Sequence, residues 1–91
     1  MFVVVSYDIT DDKRRLEVMN RLKSMGFVRV QRSMYIAKGG GALAKDVARA
    51  VVRLMDREDS VVIFIIDNQT LNNAIRLGTA QLNMPNEPLV I

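Results

Sequence analysis

Asp8 closes an apolar run, Phe2-Val3-Val4-Val5-Ser6-Tyr7-Asp8-Ile9, and Thr10-Asp11-Asp12-Lys13-Arg14-Arg15 follows at once. Runs this rich in valine and isoleucine usually form buried strands, so a carboxylate at the end of one must be solvated, paired or bound to a cation. The chain has no histidine and no cysteine. That removes the imidazole general base, the Ser or Cys nucleophile paired with histidine, and nearly all zinc sites. Carboxylate, hydroxyl and arginine chemistry remains, and any metal would be held by oxygen, which points to magnesium, manganese or calcium. Two readings of Asp8 stay open. It binds a cation and does chemistry, or it caps or pairs locally with Lys13, Arg14 or Arg15 and only keeps the strand end in place.

The second group of chemically telling residues is basic. Lys and Arg number 13 against 10 acids, a net charge of +3 that favours anionic partners weakly by itself. Position says more: Lys13, Arg14, Arg15, Arg21 and Lys23 crowd one segment, Arg29 and Arg32 follow, and Arg49 and Arg53 recur later. Such a stripe neutralises phosphates and releases counterions, the main source of sequence-independent affinity for nucleic acid. The bland alternative is a solvated helix face. Aromatics are only 5% of the chain, so contact with duplex backbone is better supplied than base stacking on a single strand. Gly39-Gly40-Gly41 lacks the Lys and Ser or Thr of a phosphate loop and reads as a flexible connector. Ser6 and Ser33 have no base beside them.

These residues must be held by a small fold. The spacing of Leu16, Val18, Met19, Leu22 and Met25 predicts an amphipathic helix over Asp11 to Met25, with Thr10 as N-cap, Asp11 and Asp12 in the acid-favouring first turn, and Gly26 as the stop. From Phe27 the period becomes two, with Val28, Val30, Met34 and Ile36 on one side and Arg29, Gln31, Ser33 and Tyr35 on the other. A bend near Ser33 would split this strand. Leu43, Val47, Ala50, Val51, Leu54 and Met55 mark a second helix, and Val61 to Ile66 reads as a buried, second central strand. Leu71 to Ala80 suits a short helix, Pro85 and Pro88 argue against regular structure, and Leu89-Val90-Ile91 suits an edge strand.

The order is β-α-β-β-α-β, an α+β ferredoxin-like arrangement with two helices on one face of an antiparallel sheet and an extra C-terminal edge strand. We read residues 1–91 as one such domain, too short in its apolar runs to cross a membrane and without a signal segment, hence cytoplasmic. The uncovered face predicts a homodimer. In a two-fold dimer Asp8 could face its own copy, and one divalent cation would relieve the repulsion of the two carboxylates, polarise a phosphate and activate a water. Tyr7 lies opposite Asp8 by strand alternation and reads as core or interface filler, and Tyr35 is taken with it as a candidate dimer contact.

Tyr7-Asp8-Ile9, Lys13-Arg14-Arg15-Leu16 and Gly26-Phe27-Val28-Arg29-Val30-Gln31-Arg32-Ser33-Met34-Tyr35 resemble CRISPR-associated protein two, the small dimeric partner of the spacer integrase. The resemblance implies a ferredoxin-like homodimer that bridges integrase dimers and lays duplex DNA across its basic surface. It implies, for some members, a magnesium- or manganese-dependent endonuclease acting on single-stranded RNA or double-stranded DNA. The family's strand-end Asp, helix-start Arg and second-strand Arg correspond to Asp8, Arg15 and Arg29, with Asp8 and Arg15 as catalytic candidates. Val-Phe usually follows Gln-x-Ser, where this chain has Met34-Tyr35. The family's C-terminal segment adds a strand to the partner's sheet and meets the integrase, a role that would fall to Leu89, Val90 and Ile91. The rival reading is a ferredoxin-like regulatory or toxin-type dimer that serves as a protein-binding platform without nuclease activity.

Overall fold

The computed structural model describes residues 1–80 and, beyond them, the backbone of two short strands, Asn83–Met84 and Glu87–Pro88. Leu89, Val90 and Ile91, expected as an edge strand and partner contact, lie outside the described residues.

Strand β1 (Phe2–Asp8) is followed by helix α1 (Asp12–Ser24), strands β2 (Val28–Gln31) and β3 (Met34–Lys38), helix α2 (Gly41–Val52), strand β4 (Ser60–Ile66) and a five-residue helix α3 (Asn68–Asn72). Asn83–Met84 (β5) and Glu87–Pro88 (β6) pair antiparallel, Pro88 opposite Asn83, so a short ladder forms where prolines argued against one. The main sheet runs β2-β3-β1-β4 with every neighbouring pair antiparallel, which is the ferredoxin-like order. The predicted bend is real: Arg32 and Ser33 form the turn between β2 and β3.

Local chemistry sets these boundaries. Asp11, not Thr10, caps α1: its carboxylate accepts from the Arg14 amide at 2.9 Å. Its side chain therefore satisfies an amide at the helix start instead of merely complementing the dipole. At the other end Phe27 N–H donates to the Leu22 carbonyl (3.0 Å) and Gly26 N–H to that of Lys23 (3.1 Å), with Gly26 at φ +90°. That close needs the left-handed region, which glycine enters without strain. It also tucks Phe27 into the core against the helix it terminates.

One face of the sheet carries Val3, Val5, Tyr7, Tyr35 and Ala37, buried under Val18 and Leu22 of α1 and Val47 and Val51 of α2. Tyr35 therefore belongs to the core side, and the polar side expected for the Phe27–Ala37 strand is polar only toward its edge, at exposed Arg29 and Gln31. The opposite face is not bare along its whole length. Helix α3 lays Leu71 over Phe2 and Ile36, with Val4, Val28, Val30 and Ile66 around them. This helix stops at Asn72, short of the predicted Leu71–Ala80: Asp67 caps its start by accepting from Thr70 N–H at 2.7 Å, and Asn72, Asn73 and Gly78 (φ +69°) are poor helix formers. Beyond its reach Val62 (47% exposed) and Phe64 (52%) stay uncovered.

Among the described residues strand β4 pairs with β1 alone, so there the Val61–Ile66 run is an edge and not a second central strand. Its apolar character resembles that of a central strand, and only the topology separates the two. An apolar edge with unpaired backbone groups invites another chain.

Gly39-Gly40-Gly41 is built, not merely flexible. Gly39 sits at φ +150°, and a Cβ there would lie 2.6 Å from Leu43 Cδ2 and 3.0 Å from Leu43 Cβ. Gly40 is the N-cap of α2. Gly39→Ala is expected to destabilise the fold by roughly 1–3 kcal/mol, read as a lower denaturation midpoint, because the left-handed backbone and the Leu43 contact act together. A wild-type midpoint would show that Leu43 and the backbone relax freely.

Candidate functional site

The carboxyl end of β1 opens into a cleft of about 610 Å³ lined by residues from three elements. Strand β1 supplies Asp8 at the rim, the first turn of α1 supplies Asp12 and Arg15, and the β2–β3 hairpin supplies Arg29, Arg32 and Ser33. Strand pairing brings these groups together: Tyr7 N–H donates to the Ser33 carbonyl at 3.0 Å, and the Tyr7 hydroxyl donates to the Arg32 carbonyl at 3.3 Å. Tyr7 thereby ties the hairpin tip to the strand that ends in Asp8. Its ring stacks on Tyr35, centroids 6.2 Å apart. Burial pushes the Tyr7 phenol above its ordinary pKa, partly opposed by the nearby Arg29 and Arg15 charges. Both rings are enclosed within the chain, Tyr7 5% and Tyr35 0% exposed, so neither offers a surface to a second copy. They are core residues.

Arg15 faces the cleft but is held by its own loop. Its Nη1 donates to the carbonyls of Ile9 and Thr10, both at 3.2 Å, and its Nη2 pairs with the Asp12 carboxylate. Arg29 and Arg32 are exposed, and they also line a neighbouring depression with Gln31 and Thr79. Asp8 is exposed at the strand end, while the ion pairs of this region go to Asp11, Asp12 and Asp59. Lys13 and Arg21 lie exposed on α1 outside the cleft lining.

Arg14 does something different from its neighbours. Its Nε and Nη2 grip the Asp59 carboxylate at 2.8 and 3.2 Å, and Nη2 also meets Glu58 at 2.8 Å. The Asp59 side chain is fully covered and accepts from the Asp56 amide at 2.8 Å. Arg14 therefore joins α1 to the turn before β4. It is not spare charge for a phosphate. The Arg14 hydrogen bond, with that from Asp56 N–H, holds the Asp59 carboxyl below its ordinary pKa, as hydrogen bonds from Thr70 do for Asp67. Carboxyls depressed in the folded state add stability that is complete above their unfolded pKa and is lost as pH falls through the folded value. Melting temperature is accordingly expected to drop between about pH 5 and pH 2. Arg14→Ala should flatten that acid limb, and an unchanged limb would show that Asp59 does not contribute.

The family described as "CRISPR associated protein Cas2" matches residues 1–74, the stretch that carries β1, the cleft and the sheet. The chain belongs to the Cas2 family. This Cas2 chain is 43% identical over 79 residues to a protein of Aeropyrum pernix named CRISPR-associated endoribonuclease Cas2, with 86% of each chain covered. It is 33% identical over 78 residues to a CRISPR-associated endonuclease Cas1/endonuclease Cas2 fusion of Thermoproteus tenax, covering 85% of this chain and 30% of that one. Among solved structures it superposes on a hypothetical protein of Thermus thermophilus with a TM-score of 0.76 at 34% identity, over 89% of this chain and 94% of that one. Streptococcus pyogenes Cas2 shares the fold, with a TM-score of 0.72 at 24% identity, over 86% of this chain and 100% of that one.

The donor set of this Cas2 chain is thin. Among the described residues no group of three or more acids could hold a metal. In the cleft, Asp12 is engaged by Arg15, which leaves Asp8. One exposed carboxylate fits magnesium, which keeps several waters and takes one or two carboxylates. Sequence reasoning gave Asp12 only a helix-dipole role, although its i,i+3 spacing to Arg15 signals a pair. Among the described residues no helix is long and apolar enough to cross a membrane.

Proposed function

We propose that this Cas2 chain works as a homodimer in CRISPR spacer acquisition, binding nucleic acid along its phosphate backbone and cleaving phosphodiester bonds at Asp8 with magnesium or manganese. The observation that carries the reading is the cleft that Asp8 lines together with Arg29 and Arg32. A carboxylate that can hold a cation, beside two guanidiniums that can neutralise a phosphate, is what hydrolysis without histidine requires.

In this reading Arg29 and Arg32 bind and orient the phosphate from the hairpin tip, whose position Tyr7 fixes. Asp8 would hold the metal, which when bound supplies Lewis acidity to a phosphate oxygen and lowers the pKa of a bound water. A second protomer contributes its own Asp8 across the two-fold axis. Lys13 and Arg21 extend the phosphate track along α1. The uncovered Val62 and Phe64, and a 280 Å³ apolar groove lined by Val4, Val30 and Met34, form the surface that two copies bury. The fused relative supports a Cas1 integrase subunit as the larger partner; in this reading duplex DNA is the ligand laid between them. The endoribonuclease names support RNA as a cleaved substrate.

The test uses labelled single-stranded RNA and duplex DNA, with magnesium or with chelator, alongside binding at two salt concentrations and a solution mass. Cleavage that needs the metal and a mass of two chains are expected. Salt-sensitive duplex binding without cutting would leave a scaffold and remove the nuclease half. A protein with no salt-dependent affinity for either nucleic acid would instead be a protein-binding platform.

A further inference from the structure

Arg15 is surrounded by acceptors that belong to its own loop. Nη1 spans the carbonyls of Ile9 and Thr10, the two residues directly after Asp8, and Nη2 is held by the Asp12 carboxylate one helical turn before Arg15. A guanidinium is planar, so fixing Nη2 fixes where Nη1 points. The Ile9 side chain is buried in the core, which anchors the loop between β1 and α1 on one side. Asp11 caps the helix through the Arg14 amide, and its carbonyl accepts from Arg15 N–H at 2.9 Å, while the Arg15 guanidinium holds the backbone carbonyls of Ile9 and Thr10.

We infer that Asp12 is a positioning residue: through Arg15 it holds the Ile9–Thr10 backbone and so sets the direction of the Asp8 carboxylate. The inference rests on the nuclease reading of Asp8 for its consequence in catalysis, and on the hydrogen bonds alone for the clamp itself. Asp12 is 91% exposed and Arg15 37% exposed. An ion pair this open contributes little to folding, so its removal tests position and not stability.

The alternative is that Asp12 serves only the α1 dipole. A dipole effect acts on the helix regardless of the shape of residue 15, whereas a clamp needs both a carboxylate at 12 and a fork at 15. The experiment compares wild type, Asp12→Asn, Asp12→Glu, Arg15→Lys and the Asp12→Asn/Arg15→Lys double variant, by steady-state cleavage and by amide order parameters at Ile9, Thr10 and Asp11.

Asp12→Asn and Arg15→Lys are each expected to lower kcat about tenfold without raising KM, and to lower the order parameters of Ile9 and Thr10. Asp12→Glu should restore most of the loss. The double variant should be no worse than either single change, because the two residues act as one unit. Unchanged order parameters in Asp12→Asn would overturn the clamp, as would additive losses in the double variant. A wild type that does not cleave would overturn the nuclease reading alone, and the order parameters would then decide the clamp.

Discussion

Asp8→Asn is expected to reduce metal-dependent phosphodiester cleavage by at least ~100-fold while the melting temperature and nucleic-acid affinity hold or rise slightly. The side chains are nearly isosteric, and Asp8 is exposed at the end of β1, so no buried partner is lost. What disappears is the anionic charge that would hold a divalent ion. Affinity is not expected to fall because a carboxylate repels phosphate. Retained cleavage would remove Asp8 from the centre of the site, and parallel loss of melting temperature would return it to a local structural role. Assaying the variant over a range of magnesium separates a weakened metal site from an absent one: recovery at high metal means that other oxygens still hold the ion.

The second large effect divides the arginines by what they touch. The Arg29→Ala/Arg32→Ala double variant should reduce the slope of log affinity against log salt by about 2 for each copy that contacts the nucleic acid, since each phosphate contact contributes roughly 0.9. Its melting temperature should change little, because both side chains are exposed at the hairpin. Arg14→Ala should do the reverse. It strands the covered Asp59 carboxylate, whose two oxygens Arg14 grips, so the melting temperature falls by several degrees while the salt slope stays near wild type. A common loss of salt slope in all three positions would mean that the Arg14 network opens to bind phosphate. Two neighbours in sequence, Arg14 and Arg15, thus have different tasks from each other and from the hairpin pair, although all four carry the same charge.

Some of this is legible in the sequence. The Asp8 strand end, the Gly26 stop, the split of the long strand near Ser33 and the β-α-β-β-α-β order follow from signals that act over a few residues: periods of two or 3.6, a glycine that alone enters the left-handed region, and turn-forming pairs. The cap of α1 was misread by one residue because Thr10, Asp11 and Asp12 are all competent caps, and only the backbone path decides which oxygen reaches the Arg14 amide. Helix α3 was placed too late because its start depends on Asp67, which sits at the end of an apolar run where a strand stop is equally natural.

By itself, then, the sequence determined the order of the elements from β1 to β4, where most of those elements stop, and that chemistry here must use carboxylates and arginines. Those properties are local or compositional, and each is a matter of one residue type in one backbone state. The tertiary structure alone decided that Val61–Ile66 is an edge, that Arg14 is occupied by Asp59 45 residues away, and that Asp8, Arg29 and Arg32 meet at one cleft. An apolar strand has the same pattern whether it has one neighbour or two, and a basic residue has the same charge whether or not an acid waits across the fold. Only the pairing of β4 on β1, and of β3 on both β1 and β2, brings those distant groups within reach of each other.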